Sequence, residues 1–350
     1  MKKFYYTFLL TQLFLPVCTG LGYLMHRPFV LAVPELTVTV FGILAVYITY
    51  KLRKLEPVKG LLWCLPSTIL NAVFLLFHGI MGGISGFLCV VCGWILMHKA
   101  ARRWYWWLCY GLSALACAGL ALILPIWGFV QMMRTDNVVN TYPSPAGGYT
   151  AILTISDQGA LGGATIVTVR NEKKSIPILL GCFEDSTEVW RGEFLYAQDM
   201  DLEWKSEDIL NINGISYAVS GENIPLLAAV SQNLQISILR GSVLRSWETH
   251  GGFHGDGETY TELSGRVILP DSENWHTLPA PPEFWHLAFN CRDDNDNCVI
   301  PRISEGNWYF YNRHPKNTDP TAMEDHGSWN YTLAVYDSVN QILYYYELDT

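Results

Sequence analysis

Residues 60–98, GLLWCLPSTILNAVFLLFHGIMGGISGFLCVVCGWILMH, contain no Asp, Glu, Lys or Arg. As one helix this stretch would run about 58 Å at 1.5 Å per residue, nearly twice the ~30 Å hydrocarbon core of a bilayer. It therefore predicts two membrane crossings joined by a turn, and Gly79, Gly82, Gly83 and Gly86 mark where the turn is expected. Helices suit lipid because each satisfies its own backbone where no water is present to do so.

Toward the N-terminus, residues 4–23 form another charge-free run, and residues 29–50 a third that is interrupted by Pro34 and Glu35. A carboxylate at the bilayer centre costs about 2.5–3.5 kcal/mol on insertion scales. Glu35 is therefore expected at an interface. Residues 36–50 alone would reach only about 22 Å, so either local thinning of the bilayer or inclusion of residues 29–33 is required. Toward the C-terminus, residues 106–130 make a fifth run, with Trp104, Tyr105, Trp106 and Trp107 at one end and Trp127 near the other, in the manner of an aromatic belt. The expected architecture is a five-span α-helical membrane bundle over residues 1–134. A mainly-β (β or α+β) extracytoplasmic domain follows over residues 135–350, with a subdivision near 230–245.

Charge divides the chain at the same place. Residues 1–134 hold 11 basic and two acidic residues, whereas residues 135–350 hold 12 basic and 30 acidic ones, a formal charge of −18. That surface repels phosphates and disfavours nucleic acid as a partner. Basic residues in short loops stay cytoplasmic. Lys2, Lys3, Lys51, Arg53, Lys54, Lys59, Lys99, Arg102 and Arg103 fall in alternate connections, against Arg27 and Arg134 on the other side. The expected location is the cell membrane, multi-pass, with a cytoplasmic N-terminus and the C-terminal domain outside. A cleaved leader ending near Cys18 is not expected, because Pro16 and Val17 replace the small residues such sites use.

Within the bundle, Gln12 and Asn71 are expected to hydrogen-bond between helices, and His78 to lie at the outer interface. Cys18, Cys64, Cys89, Cys92, Cys109 and Cys117 fall inside apolar runs, so Cys89-x-x-Cys92 reads as packing rather than a redox or zinc pair. Cys291 and Cys298 flank Arg-Asp-Asp-Asn-Asp-Asn, and an external compartment would permit a disulfide closing that short loop.

The acidic part alternates in the manner of strands. Residues 149–156 and 164–170 are two such runs. Asn213-Gly214 between residues 209–212 and 215–219 predicts a hairpin, since Asn-Gly supplies the positive φ a type I′ turn needs. Residues 331–336 and 342–348 predict a second hairpin.

The segment His250-Gly-Gly-Phe-His254-Gly-Asp256-Gly-Glu258 carries the densest chemistry. Its four potential ligands, His250, His254, Asp256 and Glu258, occupy even positions and share one face of a straight extended chain, suggesting a divalent metal. Turns at the glycines would scramble that parity, and the helix and glutamate placement of His-Glu-x-x-His proteases are missing. Asp293, Asp294, Asn295, Asp296 and Asn297 offer oxygen ligands, but Cys298 and Val299 break the calcium-loop pattern, so a solvated acidic turn is expected. No Gly-x-Ser-x-Gly elbow or phosphate-cradling glycine loop occurs.

The His250 segment, residues 330–337 (Asn-Tyr-Thr-Leu-Ala-Val-Tyr-Asp) and residues 343–350 (Leu-Tyr-Tyr-Tyr-Glu-Leu-Asp-Thr) together resemble an uncharacterised family. Its members look like membrane-anchored proteins of Gram-positive, clostridial-type bacteria with an exported β-rich domain. The resemblance covers residues 245–350, more faintly 140–220. It implies a cell-membrane location and transfers no functional residue.

Two functional expectations follow. One is a membrane-tethered binding or interaction module for an envelope protein, peptide or glycan, with Trp247, Trp275, Trp285, Trp308 and Trp329 as candidate contact aromatics. The other is a metal-dependent envelope enzyme centred on His250, His254, Asp256 and Glu258. A transport role is less supported, because the spans carry so few ionisable groups.

Overall fold

The computed structural model describes residues 2–54, 64–76, 78–100, 119, 135–157, 159, 162–194, 196–250, 256–271, 274–293, 295–313, 316–322 and 329–350. The N-terminal region is a bundle of α1 (Lys2–Leu24), α2 (Pro34–Arg53), α3 (Cys64–Leu76) and α4 (Gly79–Ala100). Three of these are long and apolar enough to cross a membrane: Lys3–Leu24, Pro34–Arg53 and Met81–His98. The expectation of five spans is corrected on this point. With 13 residues, α3 reaches only about 20 Å, and the fifth expected run lies outside the described residues. The bundle turns apolar side chains outward: Leu10 is 71% and Ile43 63% exposed, which suits lipid on that side rather than water.

Two sequence readings within the bundle change. Residues 29–33 do not extend the second span, because Phe29–Leu31 forms strand β1 and the helix begins only at Pro34. Proline fits there since the first helical N–H needs no intrahelical partner. Glu35 then occupies the first turn, as the cost of burying it demanded. The turn falls at the first of the expected glycines, with the break between Leu76 and Gly79, whereas Gly82, Gly86 and Gly93 form a seam against α3. A Cβ on Gly82 would stand 2.0 Å from the Leu75 carbonyl oxygen, and one on Gly93 2.2 Å from Thr68 Oγ1. Small residues let the two backbones approach.

Gln12 and Asn71 are both buried and joined by a 3.0 Å hydrogen bond from Asn71 Nδ2. Tyr5 lies near Cys64 in the same pair of helices, so α1 and α3 run parallel. The α3–α4 seam pairs Leu75 with Gly82 and Thr68 with Gly93, so α4 runs antiparallel to both. Ala100 therefore ends α4 at the end of the bundle where α1 begins.

Past the bundle the chain is mainly β. Strands β2 (Thr135–Pro143), β3 (Tyr149–Asp157), β4 (Gly163–Asn171) and β7 (Ser186–Gly192) make an antiparallel sheet in the order β2-β3-β4-β7. A nine-stranded sheet takes β8 (Leu202–Trp204), β9 (Ile209–Ile212), β10 (Ile215–Ala218), β11 (Ser237–Glu248), β12 (Gly257–Ile268), β13 (Trp275–Thr277), β14 (Gly306–Asn312), β15 (Tyr331–Asp337) and β16 (Ile342–Asp349). Their order is β13-β14-β15-β16-β12-β11-β10-β9-β8. Both expected hairpins form. Ile212 faces Ile215 across Asn213 (φ 52°) and Gly214 (φ 90°), and β15 pairs β16 in register from Tyr331↔Leu348 to Asp337↔Ile342. Helix α5 (Ile224–Leu234) carries the chain from β10 to β11, which pair in parallel. Residues 230–245 are thus the end of this helix and the start of β11.

Alternation sorts the side chains of the large sheet. One face buries Tyr260, Phe310, Leu333, Val335 and Tyr346 under α6 (Pro282–Ala288), which contributes Phe284 and Leu287. The other face buries Leu263, Tyr336, Leu343 and Tyr345 against Leu227, Val230 and Leu234 of α5. A third core joins the two sheets through Leu153, Val167, Leu210, Ile212 and Tyr217.

A third sheet links the halves of the chain. Strands β5 (Ile176–Ile178) and β6 (Gly181–Phe183) form a hairpin, and β1 of the bundle adds to it in the order β1-β6-β5. Phe29 pairs Phe183, Val30 pairs Cys182 and Leu31 pairs Gly181. Outside the strands, Glu184 N–H donates to Pro28 O at 3.0 Å and Ala32 N–H to Leu180 O at 3.1 Å. The Phe29 and Phe183 rings lie 5.2 Å apart.

Candidate functional site

Of the His250 segment, His250 and Glu258 do not lie together. Thr249 N–H donates to Glu258 O, so His250 stands opposite Gly257, and β12 in turn pairs Gly257 with Asp349 and Glu258 with Leu348. His250 and Glu258 consequently face opposite sides of the sheet. The even-position argument fails because the chain reverses between them and even residues pair with odd ones. His250 Nε2 lies 3.4 Å from Asp349 Oδ2 and its Nδ1 3.6 Å from Glu248 Oε1. Arg313 pairs with both Glu347 and Asp349 beside it. Glu258 looks the other way, toward Tyr346, whose phenol is pushed up by burial and further by Tyr331 and Glu258. Asp256 is exposed, and His254 lies outside the described residues. Among the described residues, no three His, Cys, Asp or Glu side chains are grouped to hold a metal ion.

Cys291 and Cys298 are both free thiols, Cys291 buried and Cys298 exposed. Cys298 bridges to Arg292, while Val299 N–H donates to Cys291 O. The two cysteines thus sit one residue out of register across this short loop. Asp293 in the same loop spends Oδ1 on the N–H groups of Asn295 and Asn297, at 2.9 and 3.0 Å. Those bonds, with Arg245, hold its carboxyl below the usual range. The candidate aromatics are mostly structural. Trp275 and Trp308 are buried, Trp247 and Trp285 pack on the sheet core, and Trp329 is exposed.

The structure instead presents a cavity of about 220 Å³ between the four-stranded sheet and the β10–α5 connection. Strand alternation places Val169 and Val189 on its floor, with Val219 and Ile224 from the connection. Asn171, Lys174, Asp185, Thr187, Ser220 and Asn223 supply polar groups around them. Asn223 adopts a left-handed conformation (φ 56°) as the residue before α5, and its side chain caps no helix N–H. The turn after β4 is fixed by Asn171, whose N–H donates to Asp185 O at 2.8 Å and whose Oδ1 accepts from Lys174 N–H at 3.2 Å. Among the described residues neither the Lys174 ammonium nor the Asp185 carboxylate is held in an ion pair. Tyr149 also lines the space. Burial, and then the charges of Asp208, Glu207 and Asp185, push its phenol up, so it stays a neutral donor at ordinary pH. Sequence reading missed this site because its walls come from segments far apart in the chain, with no local motif.

Comparison of the chain with protein-family models, curated proteins and solved structures finds no match.

Proposed function

We propose that the protein is a membrane-tethered, extracytoplasmic binding module whose ligand site is the cavity beside α5. Its ligand is a small zwitterion of the amino-acid or short-peptide class. The observation that carries this reading is that Lys174 and Asp185, neither held in an ion pair among the described residues, both line one cavity. A ligand carboxylate would meet Lys174 and the Asn223 amide, and a ligand ammonium would meet Asp185. The valine floor accepts a short apolar side chain. The cavity is below the ~300–1,000 Å³ of drug-sized pockets, which restricts the ligand to a small solute.

The external placement rests on geometry and charge together. Helix α4 ends where α1 begins, whereas the β-rich part docks at the opposite end through β1. An odd number of crossings reconciles the two. The nine-to-two division of basic residues puts the N-terminal end in the cytoplasm.

Calorimetry of the full chain in lipid nanodiscs with glycine, alanine and dialanine tests the ligand assignment. The expected result is saturable binding, weakened at least tenfold in Lys174→Ala and in Asp185→Asn. Absence of saturable binding for all three, or binding unchanged in both variants, overturns it. A reporter fused after Thr350 should be active only outside the cell.

A further inference from the structure

We propose that the turn of the β5–β6 hairpin is a lipid anchor, seating Leu179 in the interfacial layer of the bilayer beside the start of α2. This inference stands apart from the ligand reading and rests on the third sheet. Ile178 pairs with Gly181, so the turn consists of Leu179 and Leu180 alone. Two-residue hairpin turns exposed to water favour Asn, Gly and Asp. Two leucines at such a turn call for an apolar setting, and each finds one differently. Leu180 packs against the core of the helical bundle, and its carbonyl accepts the Ala32 N–H. Leu179, next to it, is 94% exposed.

What surrounds Leu179 identifies the occupant. The turn is tied to Ala32, two residues before α2 starts, and the neighbouring ends of the apolar helices expose Tyr23, Leu24, Val33 and Leu36. Tyr23, Leu24 and Leu36 belong to helices long and apolar enough to span a membrane, and Val33 immediately precedes the second of them, so the apolar surface of the bundle continues onto the hairpin. Tyr23 is of the type enriched where hydrocarbon meets headgroups. The depth is limited as well. Irregular backbone exposed to lipid is not tolerated in the hydrocarbon itself, which holds the turn at the headgroup boundary with only the Leu179 side chain reaching inward.

The test uses full-length Leu179→Cys in a Cys182→Ser, Cys298→Ser background, labelled with an environment-sensitive fluorophore and reconstituted into phosphatidylcholine–phosphatidylglycerol vesicles. A label at Val339→Cys, in the exposed β15–β16 turn, provides the comparison. Expected is at least twofold stronger quenching at residue 179 than at residue 339 by a lipid-borne nitroxide near the headgroup, and at least twofold weaker quenching by aqueous iodide. Equal iodide quenching at the two positions overturns the proposal. So does disulfide formation between residues 179 of two copies when the unlabelled Leu179→Cys protein is mildly oxidised in the same vesicles, since a second copy would then be the occupant.

Discussion

Arg27 donates a 2.8 Å hydrogen bond from Nη1 to the backbone carbonyl of Lys174, 147 positions further along the chain. The first connection of the helical bundle is thus fastened to the same turn that lines the cavity, and β1 continues the attachment strand to strand.

The register of that attachment is open to a direct check. Val30 lies opposite Cys182, so Val30→Cys should form a disulfide with Cys182 under mild oxidation. Peptide mass spectrometry should find the linked pair, and Cys182→Ser should remove it. A cross-link formed instead to another cysteine would show the register to be wrong.

The α3–α4 seam predicts opposite outcomes for two chemically identical changes. Gly20 has nothing within 4 Å of a built Cβ, whereas Gly82 would meet the Leu75 backbone. Gly20→Ala should stabilise by up to about 1 kcal/mol through helix propensity. Gly82→Ala should destabilise by about 1–3 kcal/mol through overpacking. Thermal unfolding in detergent, followed by tryptophan fluorescence, measures both. Equal shifts for the two variants would dismiss the close seam.

Gln12 and Asn71 should behave as a coupled pair. A double-mutant cycle with Gln12→Leu and Asn71→Leu should give a coupling energy of about 0.6 kcal/mol, reaching ~1.7 at most, because polar contacts in membranes are modest on average. Among the described residues Gln12 Nε2 and Asn71 Oδ1 make no hydrogen bond, so the double variant should unfold no more easily than either single one. Additive losses would mean the two residues act separately.

Acid sensitivity should appear at the β15–β16 turn. Burial raises the Asp337 carboxyl, but the N–H groups of Asn340 and Val339 and the Asn340 amide outweigh it and hold the group below its ordinary value. A depressed folded value means the stabilisation is complete above the unfolded aspartate range, near ~3.9, and is lost as pH falls through the folded value. Asp337→Asn should therefore lower the melting temperature at pH 7 by more than at pH 3. A pH-independent difference would remove the carboxylate from the account.

What could be read in the sequence divides along physical lines. Asn213-Gly214 announced its hairpin because the positive φ angles are a local demand, and the long charge-free runs announced helices because lipid leaves few alternatives. Phe29–Leu31 could not be recognised as a strand, since its partner lies at Gly181–Phe183 and its apolar residues read equally well as helix. The glycines of α4 were ambiguous in the same way: a glycine permits a turn and a close approach alike, and only the position of Leu75 and Thr68 decides between them. At the candidate site, Lys174 and Asp185 carried no motif. Their meeting depends on the hairpin that separates them, while His250 and Glu258 of the conspicuous segment fall on opposite faces of the sheet.

The pairing of β1 with β6 also constrains how the molecule is made. Phe29 through Leu31 emerge early in synthesis and must wait, as an unpaired strand edge, until the β5–β6 hairpin exists. Such long-range pairing forms slowly and leaves the edge open to competing strands in the interval. Closure of this small sheet is therefore a late step of biogenesis, following insertion of the helices and emergence of the hairpin, and a chain stopped before residue 183 would carry an adhesive edge with nothing of its own to cover it.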